Sequence, residues 1–170
     1  KKNSNKEIIN IHIQNPKVPF NNFNYIIAPE HDGISGKNVI SSKGALHYLT
    51  IEEIKNSRDY LQNKTNTKKD ILTLILGGPT KYYNYSTQNI KTVFSKIKNL
   101  TEKNNLHLVV IPSNRTPIET VSSAKSELIN DSTIIETVDK KAYLSALSIA
   151  KYIVVTCDSS SMISEAALTG

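Results

Sequence analysis

The sequence predicts an α/β protein, with parallel sheets covered by helices on both faces. Residues 71–76 (ILTLIL) and 106–111 (LHLVVI) are nearly continuous apolar runs. Such runs suit strands buried on both faces of a parallel sheet, whereas a half-exposed strand would alternate. Amphipathic stretches of ten or more residues lie between and after them, long enough to return the chain to a parallel neighbour. The residues that follow the apolar runs are small or polar: GGPT, PSNRTP and, after a third run at 152–156, CDSSS. Open α/β sheets bind ligands at the carboxyl ends of their strands, which is where these residues fall.

The elements follow in order. Residues 7–13 (EIINIHI) alternate and are β-branched, as in a strand. Residues 24–28 (NYIIA) form a second strand, stopped by Pro29. The segment 30–44 holds three of the six glycines and reads as loop, with a small strand over 38–40. A loose apolar stripe over 51–62 predicts a helix. Residues 63–70 (NKTNTKKD) are polar and short-sided, the best linker in the chain. Beyond it the chain alternates strand and helix: strand 71–76, helix 86–103, strand 106–111, helix 117–128, strand 133–135, helix 140–150, strand 152–156 and helix 162–169. Thr116 is expected to cap the helix that Pro117 begins. The 170 residues suit one ordinary domain or parts of two. The chain opens on Lys1 and stops at Gly170 just after a helix, which reads as a fragment of a longer protein.

Composition excludes several classes. Hydrophobic residues are 38% and charged residues 21%, outside the disordered regime. The net charge is +6, but all basic residues except Arg58 and Arg115 are lysines, scattered and not interleaved with aromatics. Nucleic-acid surfaces cluster Arg and Lys beside exposed rings, so nucleic acid is not an expected partner. No apolar run reaches the ~20 residues that span a bilayer, so at most a peripheral membrane contact is expected. A single cysteine, Cys157, excludes a disulfide framework; after a buried strand it reads as an inert small residue. With no secretory signal, the expected location is cytoplasmic. The four histidines lack metal-ligand spacing, and no metal site is expected.

Four segments carry candidate chemistry. Gly77 and Gly78 let backbone N–H groups approach a phosphate without a Cβ in the way; a tight turn that binds nothing is the alternative. The segment is neither a Walker A loop nor Gly-x-Gly-x-x-Gly, so ATPase and dinucleotide readings lose support. Ser113, Arg115 and Thr116 join a guanidinium and hydroxyls to a helix N-terminus, a combination that favours an anion. Asp158, Ser159, Ser160 and Ser161 stand at the mouth of the sheet, with Glu165 about one turn into the following helix. A carboxylate there can accept hydrogen bonds from a ribose diol while the serines hold phosphate; a serine cap with Glu165 as surface charge is the alternative. In the first portion, His31 follows a strand as a candidate general base, oriented by Asp32 or Glu30.

Taken in order, Pro29–Asp32, Asn38-Val39, Gly44–His47, Gly77–Pro79, Pro112–Pro117 and Val155–Gly170 resemble one family. It is the mitochondrial-fission Elm-type family, the "elongated mitochondria" proteins of plants with many bacterial relatives. The likeness covers essentially the whole chain; Asn114 departs from it, standing where the family usually has a second Arg. It implies Rossmann-like domains in a GT-B-like, two-domain glycosyltransferase architecture. Residues 1–62 would be the end of the N-terminal domain, 63–70 the linker, and 71–170 most of the C-terminal nucleotide-binding domain. The resemblance further implies a nucleoside-diphosphate sugar as donor, with no permanently bound cofactor and no metal. Gly77, Gly78 and the serines would lie at the diphosphate and Glu165 at the ribose, with His31 or Asp32 facing an unknown acceptor. Plant members are linked to recruiting division machinery, so a non-catalytic adaptor is the alternative to sugar transfer.

Overall fold

The computed structural model describes residues 8–156 and 158–169. The start of the first expected strand, Cys157 and Gly170 lie outside them. The chain forms two compact units, Lys1–Tyr48 and Leu49–Gly170.

The first unit carries three parallel strands in the order β1 (Ile11–Ile13), β2 (Tyr25–Pro29), β3 (Val39–Ser42). Ile26 and Ala28, alternate residues of β2, are its buried centre. The strand expected over 7–13 begins only at Ile11. Asn10 instead exchanges hydrogen bonds with Asn24: its N–H donates to Asn24 Oδ1 at 2.9 Å and its carbonyl accepts from the Asn24 N–H at 2.9 Å. Asn side chains that bond local backbone compete with a ladder in this way. After β2 the chain makes a single 3₁₀ turn, Glu30–Asp32, closed by Gly33 at φ +63°, a left-handed conformation that glycine adopts without strain.

The second unit holds a four-stranded parallel sheet with the spatial order β6-β5-β4-β7. The strands are β4 (Ile71–Leu76), β5 (His107–Pro112), β6 (Ser132–Ile134) and β7 (Tyr152–Val155). Every residue of β4 and β5 is buried, as their unbroken apolar runs require. On one face Leu72, Leu74 and Leu76 pack with Ile90, Phe94 and Ile97 of α3 (Thr87–Asn104) and Ala124 of α4 (Ile118–Glu127). On the other, Val109 and Ile111 meet Ala142 and Ala146 of α5 (Lys140–Ile149), and Ile75 meets Leu144 and Leu147. The α/β class with helices on both faces is thus observed.

The helix expected over 51–62 is two helices, α1 (Ile51–Asn56) and α2 (Asp59–Thr65). Both pack on α5, within the second unit, and α2 runs into the stretch read as linker. The break falls at Ser57-Arg58, and a buried hydroxyl satisfies it. Ser145 Oγ donates to the Arg58 carbonyl at 2.8 Å and accepts from the Leu61 N–H at 2.9 Å. Asp139 caps α5 through the N–H groups of Lys141 and Ala142 and also accepts from the Tyr60 hydroxyl of α2 at 2.6 Å. That hydroxyl is the main reason the Asp139 carboxyl is held below its ordinary value.

This packing has two measurable consequences. Replacing Ser145 by Ala strands the buried Leu61 N–H, while the Arg58 carbonyl keeps the Gln62 N–H at 3.4 Å, and should lower stability by about 1–3 kcal/mol in urea unfolding; no change in midpoint would mean that the break satisfies itself. His107, buried at the amino edge of β5, lies 2.9 Å from Thr133 Oγ1. Burial pushes its pKa below 6.5, Asp131 works against that, and Lys69 adds a smaller push downward. The folded state therefore holds fewer protons than the unfolded chain near that pH, so stability should fall as the pH drops below about 6.5 toward the lowered folded value. His107→Gln should flatten the dependence in thermal melts between pH 7 and 5; an unchanged slope would contradict the assignment.

Candidate functional site

Because β4 lies between β5 and β7, the loops after these three strands meet at the carboxyl edge of the larger sheet. Asp158, in the loop after β7, stands at their junction with 1% of its side chain exposed. Its Oδ2 accepts from the Gly78 N–H at 3.0 Å and pairs with Arg115 Nη2 at 2.9 Å, and its Oδ1 accepts from the Thr156 hydroxyl at 2.6 Å. One carboxylate thereby ties the β4, β5 and β7 loops together. Thr156 extends the network, since its oxygen accepts from the Gly77 N–H at 2.8 Å and from the Tyr85 hydroxyl at 2.8 Å. With two donors on that oxygen, the Thr156 proton is directed at Asp158.

The two glycines are needed for close approach. A Cβ on Gly77 would run into the Asp158 carboxylate, and one on Gly78 into the Arg115 carbonyl. Neither has a positive φ; the constraint is steric, not conformational. Both amides are taken by protein groups here, so Gly77 and Gly78 shape the site instead of presenting an open cradle of N–H groups.

Thr116 does not cap α4. Pro117 occupies the cap position, with no side-chain bond, and the helix begins at Ile118. The Thr116 hydroxyl turns back to the loop, 2.9 Å from the Leu76 carbonyl and 2.7 Å from the Gly77 carbonyl, and accepts from the Ser113 N–H at 2.8 Å. Three partners in the loop outcompete one in the helix. Ser159 does cap α6 (Ser160–Ala166), accepting from the Met162 N–H at 3.4 Å.

Between the β5 and β7 loops lies an open cleft of about 440 Å³, lined by Ser113, Asn114 and Arg115 on one side and Asp158 through Met162 on the other. Arg115 is half-exposed, and among the described residues it uses only Nη2 on protein groups. The remaining guanidinium donors are available to a ligand in a fixed planar fork. The hydroxyl-bearing residues Ser113, Ser159, Ser160 and Ser161 complete the wall. This arrangement suits a small oxyanion held by directed hydrogen bonds. Because Asp158 already balances the Arg115 charge, geometry contributes more here than net charge.

Glu165 is not on the cleft wall. Its Oε2 accepts from the Tyr143 hydroxyl of α5 at 2.6 Å, which fixes its orientation from below. His31 and Asp32 belong to the first unit, at the carboxyl end of β2. His31 is exposed, and Asp32 Oδ2 accepts from the Asn15 N–H at 3.2 Å. Sequence reasoning did not assign Thr156 a role. The usable signal was that Thr156 and Gly77 each directly follow an apolar strand, a position where a hydroxyl can replace the missing ladder partner.

Parallel strands, helices on both faces and a polar cleft at the carboxyl edge define a Rossmann-like α/β protein. The chain belongs to the mitochondrial fission ELM1 family, whose model matches residues 1–170. It is also 29% identical over 198 residues to the uncharacterized protein RP120 of Rickettsia prowazekii (strain Madrid E). That match takes in 94% of this chain and 55% of the relative, so the chain spans about half the relative's length. Among the described residues, no helix is long and apolar enough to cross a membrane.

The steric account of the glycines is testable by melting. Gly77→Ala and Gly78→Ala should each cost about 1–3 kcal/mol through forced displacement of the loops. Gly33→Ala, which has open space around it, should cost about 1–2 kcal/mol from its positive φ alone. Its loss should stay local to the first unit. Wild-type stability in the Gly77 and Gly78 variants would contradict the close approach.

Proposed function

We propose that this chain carries the donor site of a GT-B-like protein that binds a nucleoside-diphosphate sugar. The observation that carries the reading is Arg115, half-exposed and held by a buried carboxylate at the rim of a serine-lined cleft on the carboxyl edge of a parallel sheet. A diphosphate presents the tetrahedral oxyanions that a planar guanidinium fork and several hydroxyls match. In this reading Arg115, Ser113 and the serines at 159–161 hold the diphosphate. Gly77, Gly78, Thr116 and Asp158 keep them in place, and Glu165, outside that wall and oriented by Tyr143, receives the ribose where it extends beyond the diphosphate.

The chemistry assigned to the whole protein is sugar transfer. An acceptor hydroxyl attacks the anomeric carbon, a new C–O bond forms, and the bond from that carbon to the diphosphate oxygen breaks. The nucleoside diphosphate leaves with its electron pair, and the acceptor proton goes to a general base, for which His31 and Asp32 of the first unit are the candidates. Arg115 and the hydroxyls stabilise charge on the leaving diphosphate.

The test is a thermal-shift screen of the full-length protein against UDP, GDP, ADP and CMP and their common sugar conjugates. One nucleotide should raise the melting temperature, and Arg115→Ala should abolish that shift. Glu165→Ala should weaken binding of the same nucleotide at least about tenfold, the scale of a lost charge-assisted hydrogen bond. A folded protein that no nucleotide shifts would overturn the donor-site reading and favour the family's adaptor role.

A further inference from the structure

The loop after Gly78 displays aromatic rings that the core does not use. From Thr80 to Tyr85 it is pinned at both ends to the residues that organise the cleft. The Gly78 N–H bonds Asp158, and the Tyr85 hydroxyl bonds Thr156, which itself bonds Asp158. Its turn is closed internally: the Thr80 N–H donates to the Tyr83 carbonyl at 3.1 Å, and Thr80 Oγ1 accepts from the N–H groups of Tyr82 and Tyr83. A short loop tied in this way holds its tip at the carboxyl edge. There Tyr82 is 83% exposed and Tyr83 44% exposed, and the Lys81 ammonium lies 5.7 Å from the Tyr82 ring centroid. Tyr85 faces inward as the anchor, while its two neighbours face solvent.

Resting on the donor-site reading above, we propose that Tyr82 and Tyr83 form the sugar subsite, stacking against the pyranose ring attached to the bound diphosphate. Tyrosine suits that role: its face is apolar, its tip carries a hydroxyl, and only two side-chain torsions need to be fixed. A pyranose likewise offers an apolar C–H face rimmed by hydroxyls. The sugar is joined directly to the diphosphate, whereas the base is separated from it by the ribose. A loop whose two ends both meet the Asp158 network reaches the sugar more readily than the base. Lys81 at the same tip favours the neighbourhood of phosphate charge over that of a neutral base.

The experiment is isothermal titration of the full-length protein with each free nucleoside diphosphate (UDP, GDP, ADP) and its glucose conjugate. The unaltered protein is compared with a variant carrying Tyr82→Ala and Tyr83→Ala, and with Tyr82→Phe. The double variant should bind the free nucleotide within about twofold of the unaltered protein and lose about five- to twentyfold for the conjugate, the range of one or two stacked rings. Tyr82→Phe should keep most of the conjugate affinity. Equal affinities for the conjugate in the double variant and the unaltered protein would overturn the subsite. Equal loss for nucleotide and conjugate would also overturn it, and would place the rings against the base. If the unaltered protein binds none of the nucleotides, the donor-site reading fails and the sugar subsite with it, an outcome visible before any variant is made.

Discussion

The larger unit depends on one carboxylate. Burying an ionised group is costly unless it is paired and its remaining lone pairs are satisfied, and Asp158 meets both conditions by drawing donors from three loops. Gly78 supplies a main-chain N–H, Thr156 a hydroxyl and Arg115 a guanidinium. Each donor has to be where it is for the carboxylate to stay buried, so the requirement of a single side chain becomes a constraint on the ends of β4, β5 and β7. The absence of a Cβ at Gly77 and Gly78 follows from the same packing.

The sheet makes this junction available. β4 and β5 are buried on both faces, and the alternation of strand and crossover helix brings their carboxyl ends, with that of β7, to one edge. Packing on α3 and α4 from one side and on α5 from the other leaves the strands little freedom to slide. Small buried polar groups complete the fit: Thr73 donates to the Ala146 carbonyl at 3.1 Å, and Ser145 closes the break between α1 and α2. Cleft geometry is therefore inherited from a core that is otherwise apolar.

The class and most elements of the larger unit were legible in the sequence, because an apolar run such as ILTLIL has few alternatives when helical periodicity flanks it. Legibility failed where a side chain found an unforeseen tertiary partner. The break at Ser57-Arg58 is supported by a hydroxyl 87 residues further along. Thr116 left its expected cap for carbonyls at the end of β4. The first strand was shortened by an Asn pair that no periodicity reveals. At the site, the marked residues fall to different tasks: Asp158 is the buried post of the network, while Arg115 and the serines line the cleft. No local pattern distinguishes these tasks, because the distinction lies in which oxygen has partners across the sheet edge.

The claim that Asp158 organises all three loops is tested most directly by hydrogen–deuterium exchange on the full-length protein and its Asp158→Asn variant. The introduced side-chain amide would present a donor where a carboxylate oxygen now accepts, and the ion pair with Arg115 would be lost. The account predicts faster exchange together in peptides covering residues 77–85, 113–117 and 156–162, with the interiors of β4 and β5 unchanged. Faster exchange confined to 156–162 would contradict it and reduce Asp158 to a local turn residue.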